Sequence, residues 1–419
     1  MANVISFKAK NFKSYKEEVE LSFRALDNDF RPENFHEVEL VNGETIRLLN
    51  SAVIYGANAS GKSNIIWALF ALVSYVRSSR EHDPEEELRY EPFVFSQDTS
   101  EEPISLCIEF IVDKQIFSYN ISYTEKQFIE EQLICVTNQK TYFSRQNDSV
   151  WFAPELSEFN EKTFLRNHLV LSKLGLEAND LIQSIYKEIS TMMTFPVGNA
   201  ISLSEINEKN AEEILKNNDS VLSRQLKTLI KVSDFEIEDV NILEHDFSKV
   251  RFPEGIDEKA KQRFIRDNTW EIRMMHKTQD GNVQSLDIQS ESAGTRVLFG
   301  VGARVLKVLD IGGFLAYDEM NIAMHPRLFQ LVVKLFHNPI ANPKGAQLLI
   351  TTHDTGLLQD NLMRADQVWF AEKKNGVSEL FSVQDFESVS INPPFEDWYR
   401  SGRFGAMPHT KDIESIFNE

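Results

Sequence analysis

The feature that most constrains this chain is the stretch GANASGKS, which runs from Gly56 to Ser63 and fits the pattern G-x-x-x-x-G-K-[ST]. It follows the apolar run 51–55, which predicts a buried strand, and it precedes the apolar-rich segment 65–76, which predicts a helix. At a strand–turn–helix junction of this kind, free backbone N–H groups and the positive end of the helix dipole meet and favour an anion. The stretch therefore predicts a P-loop that binds the phosphates of a nucleotide.

Each residue type in the loop has a physical role in holding a nucleotide. The glycines allow a tight turn and offer N–H groups, Lys62 reaches the β- and γ-phosphates, and the Ser63 hydroxyl is a ligand for Mg²⁺. The predicted cofactors are therefore ATP and Mg²⁺. The predicted nucleotide contacts of this stretch are Gly56, Asn58, Ser60, Gly61, Lys62, Ser63 and Asn64.

Two later apolar runs end in side chains that are able to complete such a site. GGFLAYDE (312–319) ends in Asp318 and Glu319, and LLITTHD (348–354) carries His353 near its end. Parallel strands deliver their carboxyl ends to one edge of a sheet, where the sites of α/β proteins form. We expect Asp318 to hold Mg²⁺ through water and Glu319 to polarise the attacking water. His353 is expected to hydrogen-bond the γ-phosphate or that water.

A second turn of small residues opens a helix late in the chain, within SESAGTRVLFG (290–300). Taken alone it predicts an ordinary N-capped helix. The order of P-loop, Ser/Gly turn, Asp-Glu and His, however, resembles that of ABC-type ATPases. In that family the Ser/Gly signature reaches across a head-to-tail dimer to the γ-phosphate held by the partner's P-loop. The resemblance implies this role for Ser292 and Gly294.

The periodicity of apolar residues divides the chain into three segments. Residues 1–154 read as an N-terminal lobe that holds the P-loop and an antiparallel β meander. Residues 155–235 show helical spacing and read as a helical insertion, and residues 236–419 form a C-terminal lobe with the signature, Asp-Glu and His. The predicted fold class is α/β. We expect an ABC-type ATPase head, with a mixed β lobe and a parallel P-loop core, that carries a helical insertion.

The chain resembles the soluble ABC/AAA-like ATPases of bacterial phage-defence operons, of the RloA/AbiL type, to which the PARIS ATPase and the ATPase lobe of OLD proteins are related. The motifs that carry this resemblance are 291–295 followed by Leu298-Phe299, Asp318-Glu319 with His325-Pro326, 351–354, 366–370 and 402–408.

Two further site residues follow from this wider group of SMC-, RecF- and OLD-like ATPases. The sequence Asn11-Phe12-Lys13-Ser14 resembles the group's N-terminal NF+S element, which implies that Lys13 approaches the nucleotide. In FVFSQ (93–97), Gln97 is the candidate for the Q-loop ligand of Mg²⁺, and the alternative is a plain turn at a sheet edge.

The resemblance implies an ATP-hydrolysing sensor or regulatory subunit of an antiphage, abortive-infection system. Such a subunit is expected to act as a homodimer or higher homo-oligomer, with a phage protein as a candidate trigger. The segment after His353 is expected to be too short for the Toprim or HNH nuclease that some relatives append. The resemblance therefore implies a separately encoded, RloB-like Toprim nuclease as the effector.

Composition and hydropathy restrict the classes of partner and site that the chain can have. The formal net charge of −20 argues against wrapping nucleic acid over the whole surface, and leaves a local basic groove open. No apolar run approaches the roughly 20 residues of a membrane span and the N-terminus is no signal peptide, so we expect a cytoplasmic protein without membrane contact. Two cysteines are too few for a disulfide framework or a zinc site. A RecF/SMC-like DNA-repair ATPase and a non-catalytic nucleotide-binding assembly module stay open as alternatives.

Overall fold

A computed structural model describes residues 3–96, 98–196, 200–233, 236–253, 255–322, 324–359, 362–386 and 393–405, and of residues 200–207 and 249 only the backbone. The chain divides into two compact units. The first unit comprises Met1–Val197, Ile311–Met320 and Val333–Glu419, and the second comprises Gly198–Asp310 and Asn321–Val332.

The described elements are numbered along the chain. The strands are β1 (Asn3–Lys10), β2 (Val19–Ser22), β3 (Phe35–Glu39), β4 (Thr45–Leu49), β5 (Ser51–Tyr55), β6 (Ile104–Val112), β7 (Gln115–Tyr123), β8 (Phe128–Cys135), β9 (Lys140–Gln146), β10 (Ser149–Phe152), β11 (Met193–Phe195), β12 (Ile237–Glu244), β13 (Trp270–Lys277), β14 (Val283–Asp287), β15 (Phe314–Tyr317), β16 (Gln347–Thr351), β17 (Val368–Lys374) and β18 (Val377–Ser382). The α-helices are α1 (Lys62–Ser78), α2 (Val170–Leu174), α3 (Asp180–Ser190), α4 (Ala200–Lys216), α5 (Val221–Ser233), α6 (Glu258–Asn268), α7 (Ala293–Ile311), α8 (Pro326–His337) and α9 (Phe395–Arg400).

A seven-stranded antiparallel sheet, in the order β10-β9-β8-β7-β6-β1-β2, forms one layer of the first unit. The alternation of apolar and polar residues explains it, because successive side chains of a strand point to opposite faces. In β6, Ile104, Leu106 and Ile108 are buried, whereas Ser105 and Cys107 between them are partly exposed. The predicted antiparallel meander is therefore present.

A six-stranded sheet, in the order β11-β15-β16-β5-β17-β18, holds the P-loop. The pairs β11–β15, β15–β16, β16–β5 and β5–β17 are parallel, and β18 closes the edge as an antiparallel hairpin with β17. The central strands are buried along their whole length, as is typical of a parallel sheet covered on both faces. The carboxyl ends of β5, β15 and β16 consequently lie at one edge.

One hydrophobic cluster joins the two sheets of the first unit through helix α1. It includes Phe7 and Tyr119 from the antiparallel sheet, Ile54 and Phe314 from the parallel sheet, and the buried face of α1, for example Leu69. Packing from both sides holds α1, and therefore its N-terminus at the P-loop, in a fixed place.

The second unit contains α4, α5, α6, most of α7 and the three-stranded antiparallel sheet β12-β13-β14. Helix α5 packs closely against α7 at a glycine: a Cβ on Gly302 would lie 2.6 Å from Leu229 Cδ2. No helix among the described residues is long and apolar enough to cross a membrane.

The predicted α/β fold class is confirmed: an antiparallel β lobe, a largely parallel P-loop core and a group of helices are present. The predicted segment bounds at 155 and 235, however, do not match the compact units. Helices α2 and α3 belong to the first unit, because their apolar residues Leu171, Ile182 and Ile189 join its main cluster. The second unit begins only near 198 and takes in the signature turn as well.

Candidate nucleotide-binding site

The P-loop connects β5 to α1 through a turn that requires glycine at two positions. The φ angles of Gly56 and Gly61 are 151° and 110°, values that residues with a Cβ rarely adopt. A Cβ would also lie 2.3 Å from the Ala371 carbonyl oxygen at Gly56, and 2.6 Å from Ser378 Oγ at Gly61. Helix α1, 17 residues long, begins at Lys62 with Gly61 as its N-cap. Its dipole therefore favours an anion at the loop.

The Lys62 side chain folds into the loop. It is only 4% exposed, and its Nζ donates hydrogen bonds to the carbonyl oxygens of Gly56 and Ala57, both at 2.9 Å. Burial lowers the pKa of the Lys62 ammonium, and the carboxylates of Glu319 and Asp318 oppose that effect. The structure thus brings the predicted phosphate-binding amine close to both predicted acids.

Asp318 lies fully buried at the end of β15 and contacts the P-loop directly. The Ser63 hydroxyl donates a hydrogen bond to Asp318 Oδ1 at 3.0 Å, and the Thr351 hydroxyl donates to the same oxygen. The Asp318 N–H is bound to the carbonyl oxygen of Phe195 at 3.0 Å. Two of the predicted Mg²⁺ ligands, Ser63 and Asp318, are therefore adjacent, and both offer the oxygen atoms that this ion takes.

Glu319 and His353 lie beside each other at the same sheet edge. His353 Nε2 is 3.6 Å from Glu319 Oε1, and both side chains are partly exposed. Glu319 adopts a φ of 48°, which is unusual for a residue other than glycine, and its N–H is bound to Thr351 Oγ1 at 2.9 Å. Burial lowers the pKa of His353 and the charge of Lys62 adds to the effect, so the neutral imidazole is favoured.

The remaining predicted contacts in this unit differ in their surroundings. Asn58 is exposed, whereas Ser60 is buried and its hydroxyl lacks a hydrogen-bond partner among the described residues. Asn64 Nδ2 donates to Ser14 Oγ at 2.7 Å. Lys13 Nζ lies 3.2 Å from Glu91 Oε1 and 5.0 Å from the centre of the Trp67 ring. Asn64 and Lys13 thus have protein partners, and their contacts with a nucleotide stay predictions.

The signature turn belongs to the second unit. Ser292 is exposed and its Oγ accepts the N–H of Thr295 at 3.1 Å, so it caps α7. Gly294, in the first turn of α7, is partly exposed. The contact of both residues with a partner's phosphate stays a prediction. Gln97 lies outside the described residues.

Three hydroxyl groups of the site escaped the sequence analysis: those of Thr351, Ser14 and Ser378. Thr351 had a usable signal, because it is the last residue of a strand whose carboxyl end leads directly to His353, and the sites of α/β proteins form at that edge of the sheet. Ser14 directly follows Lys13 in the NF+S-like element, from which a contact with the nucleotide was already expected. Ser378 stands in a hairpin far along the chain, and no local pattern marks it.

The residues present fit a magnesium nucleotide. The loop offers glycine N–H groups, the Lys62 amine and the buried Ser60 hydroxyl, and the adjacent oxygens of Ser63 and Asp318 suit Mg²⁺. No group of three or more His, Cys, Asp or Glu side chains that could hold a metal occurs in the part of the chain that the structure describes. Mg²⁺ is usually held by one or two carboxylates together with water and substrate phosphates, and Asp318 supplies one such carboxylate.

Comparison with known proteins places these residues in a family. A family model described as "AAA domain, putative AbiEii toxin, Type IV TA system" matches residues 51–359, which include the P-loop, Asp318, Glu319 and His353. No curated protein matches the chain. Among solved structures, the chain is similar to the "SMC head domain from Thermotoga maritima", with 12% identity, a TM-score of 0.40 and coverage of 91% of this chain and 98% of that one. It is also similar to the "recombination mediator protein RecF-ATPrS in RecFOR pathway", with 14% identity, a TM-score of 0.38 and the same coverage.

Proposed function

Since the chain belongs to the family described as "AAA domain, putative AbiEii toxin, Type IV TA system" and is a P-loop ATPase of the AAA/ABC type, we propose that it binds ATP with Mg²⁺ and hydrolyses it. The observation that carries this proposal is the contact between the Ser63 hydroxyl and Asp318 at the P-loop, with Glu319 and His353 at the same sheet edge. A purely nucleotide-binding module has no need of the second acid and the histidine.

The residues of the site have separate roles in the proposed hydrolysis of ATP. The P-loop N–H groups and Lys62 would bind the β- and γ-phosphates. Ser63 and Asp318 would hold Mg²⁺, which would supply positive charge that neutralises those phosphates. Glu319 accepts a hydrogen bond from the attacking water and orients it. The neutral His353, 3.6 Å from Glu319, is placed to donate or accept at the same water or at the γ-phosphate. Thr351 holds Asp318 and Glu319 in register through two hydrogen bonds.

The biological setting that we propose is phage defence. The motifs that resemble the RloA/AbiL-type ATPases, together with the family description, support a sensor or regulatory subunit of an abortive-infection system. In this proposal two copies pair head to tail, and Ser292 and Gly294 of each copy contact the γ-phosphate held by the other. A phage protein would act as the trigger.

The effector in this proposal is a separately encoded nuclease of the Toprim class. The resemblance supports this choice, and so does the net charge of −20, because an acidic protein attracts a basic nuclease and competes with its binding to DNA.

The ATPase proposal is tested by a pair of variants. Lys62→Ala removes the amine that reaches the phosphates and should abolish nucleotide binding. Glu319→Gln keeps the shape but loses the carboxylate, so it should retain binding and lose at least about 100-fold in turnover, the usual contribution of a general base. Nucleotide affinity and steady-state ATP hydrolysis measure both effects. Glu379→Gln, a change of an exposed glutamate on β18, is the control. Normal turnover in Glu319→Gln would show that this residue is not the base.

A further inference from the structure

A chain of hydrogen-bonded side chains runs along the outside of the P-loop. The Asn64 amide lies 2.7 Å from Ser14 Oγ, Ser14 Oγ lies 2.7 Å from Ser378 Oγ, and Ser378 Oγ lies 2.7 Å from the carbonyl oxygen of Ser60. We call the side chains of Asn64, Ser14 and Ser378 the hydroxyl chain. It joins the N-terminal turn, helix α1 and strand β18 to the P-loop backbone.

The donors and acceptors of the hydroxyl chain can be assigned in only one order. The Ser60 carbonyl only accepts, so Ser378 must give it the single hydrogen of its hydroxyl. Ser378 then accepts from Ser14, and Ser14 accepts from the Asn64 amide. Ser14, Ser60 and Ser378 are 6%, 3% and 3% exposed, so water has little access to replace a lost member. Each of these hydrogen bonds is therefore costly to remove.

The far end of the hydroxyl chain fixes the orientation of a peptide group in the P-loop. In a trans peptide the C=O and the N–H point in opposite directions. Because the Ser60 C=O is held by Ser378, the N–H of Gly61 is turned away from β18. Tyr15 does the same one residue later: its hydroxyl donates to the Gly61 carbonyl oxygen at 3.0 Å, which turns the N–H of Lys62.

The side chains that support the P-loop pack tightly against Gly61 and leave no room for a side chain there. A Cβ on Gly61 would lie 2.6 Å from Ser378 Oγ and 2.9 Å from Ser14 Oγ. Ser378 is held in turn through its own backbone, because its N–H donates to the Ser14 carbonyl oxygen at 2.8 Å. The hairpin β17–β18 and the turn after β1 therefore brace the P-loop from the side opposite to the turned N–H groups.

We infer that Ser378, acting through Ser14 and the Ser60 carbonyl, is a positioning residue that pre-orients the P-loop N–H groups for nucleotide phosphates. The inference rests on the proposed function of the same site and adds a specific role for the hairpin β17–β18. These N–H groups contact phosphate before and during reaction alike, so the support contributes to binding rather than to the chemical step. It therefore acts on KM and leaves kcat unchanged.

The test compares two buried serines of one strand. Ser378→Ala removes the link to the Ser60 carbonyl and should raise the Kd for Mg–ATP and the KM about tenfold, the size of one buried hydrogen bond, with kcat at saturation within about twofold of the parent protein. Ser382→Ala is the matched control. Its hydroxyl is also buried on β18 and contacts the carbonyl oxygens of Ala365 and Val368, not the P-loop.

A double-mutant cycle supplies a readout that a general loss of stability would not move. Ser14→Ala breaks the hydroxyl chain one link earlier, so its effect on Kd and that of Ser378→Ala should not add in the double variant. Should Ser378→Ala be too unstable to assay, Ser14→Ala carries the test alone: Ser378 keeps its bond to the Ser60 carbonyl but loses its own support, so we expect a smaller rise in Kd and KM with kcat unchanged.

Three outcomes would overturn the inference: an unchanged Kd in Ser378→Ala, an equal loss of affinity in Ser382→Ala, or strictly additive effects in the double variant. Failure of the proposed function looks different, because the parent protein itself would then show no Mg–ATP binding that depends on Lys62.

Discussion

His337 shows at the scale of one residue how the buried core makes stability depend on pH. Its side chain is 5% exposed, its Nε2 lies 2.8 Å from Ser51 Oγ beneath β5, and its Nδ1 has no hydrogen-bond partner among the described residues. Burial lowers the pKa of His337 from 6.5 to about 3, with a smaller contribution from the charge of Arg31. The folded protein therefore keeps this imidazole neutral where the unfolded chain takes up a proton.

The sign of the effect follows from linkage. Well above pH 6.5 His337 is neutral in both states and has no effect on the pH dependence. As the pH falls below 6.5, the unfolded chain binds the proton and the folded protein does not, so stability is lost progressively down to about pH 3. At pH 5 this one group should lower the free energy of unfolding by about 2 kcal/mol relative to pH 7.5.

Denaturant unfolding between pH 5 and 7.5 measures this prediction. His337→Gln replaces the titrating ring by an amide, so its stability should fall less steeply with acid than that of the parent protein, by about the same 2 kcal/mol at pH 5. His325→Gln, which makes the same change at an exposed histidine, serves as the control for the substitution itself. Parallel curves for His337→Gln and the parent protein would contradict the prediction.

The site residues that could be predicted from sequence are those that belong to a recognisable local motif. Lys62 and Ser63 follow from the spacing of the P-loop, and Asp318 and His353 follow from strand ends that meet at one sheet edge. The structure brings all of them together. Ser378 could not be found in this way, because its role depends on a hairpin that lies beside the P-loop only after the whole parallel sheet has formed.

At the scale of elements, the N-terminus of helix α7 has two roles to separate. Ser292 caps the helix, and it also belongs to the proposed signature. Ser292 Oγ accepts the Thr295 N–H, a contact that asparagine and aspartate side chains also make as N-caps. Ser292→Asn and Ser292→Asp should therefore both leave α7 capped. Only the aspartate places a negative charge where a partner's γ-phosphate is proposed to sit.

We expect Ser292→Asp to lose at least about tenfold in ATP turnover through charge repulsion, while Ser292→Asn keeps much of the parent rate. Nucleotide binding to the variant's own P-loop should be retained in both. Steady-state hydrolysis, nucleotide affinity and melting temperature separate the effects. Equal rates for the two variants, at equal melting temperatures, would mean that Ser292 is a helix cap and no more.

The strands were predicted better than the grouping of the helices, for a physical reason. A period of two over a run such as Ile104–Val112 specifies a strand and its buried face at once. The helical spacing of 155–235 specifies helices, but not which core they join. Helices α2 and α3 pack on the first unit because Leu171 and Ile182 find partners there, and such pairing is decided by tertiary contacts that no local window contains.

At the scale of the whole molecule, the P-loop and both acids lie in the first unit, and the signature turn lies in the second. In the proposed head-to-tail dimer, ATP is bound by the P-loop of one copy and contacted by the signature turn of the other, so ATP would favour the paired state over separate copies. That pair is the two-state element that the proposed regulation requires: a second protein that prefers one of the two states would be held or released as ATP is bound and hydrolysed.

The last prediction concerns that second protein. Nuclease chemistry is assigned in our proposal to a separate effector, so expression of this chain alone should be harmless to cells, with or without phage. Protection should require the gene of the proposed nuclease as well, and Lys62→Ala in this chain should abolish protection while both proteins are still made. The proposed contact is between an acidic protein and a basic one, and dissolved ions screen such an attraction. The Kd of the isolated complex should therefore rise as the salt concentration is raised. Plating efficiency of phage on cells that carry either gene or both, with the Lys62→Ala variant as the matched control, measures the first part. Full protection by this chain alone would contradict the division of labour and would place effector chemistry within the chain itself.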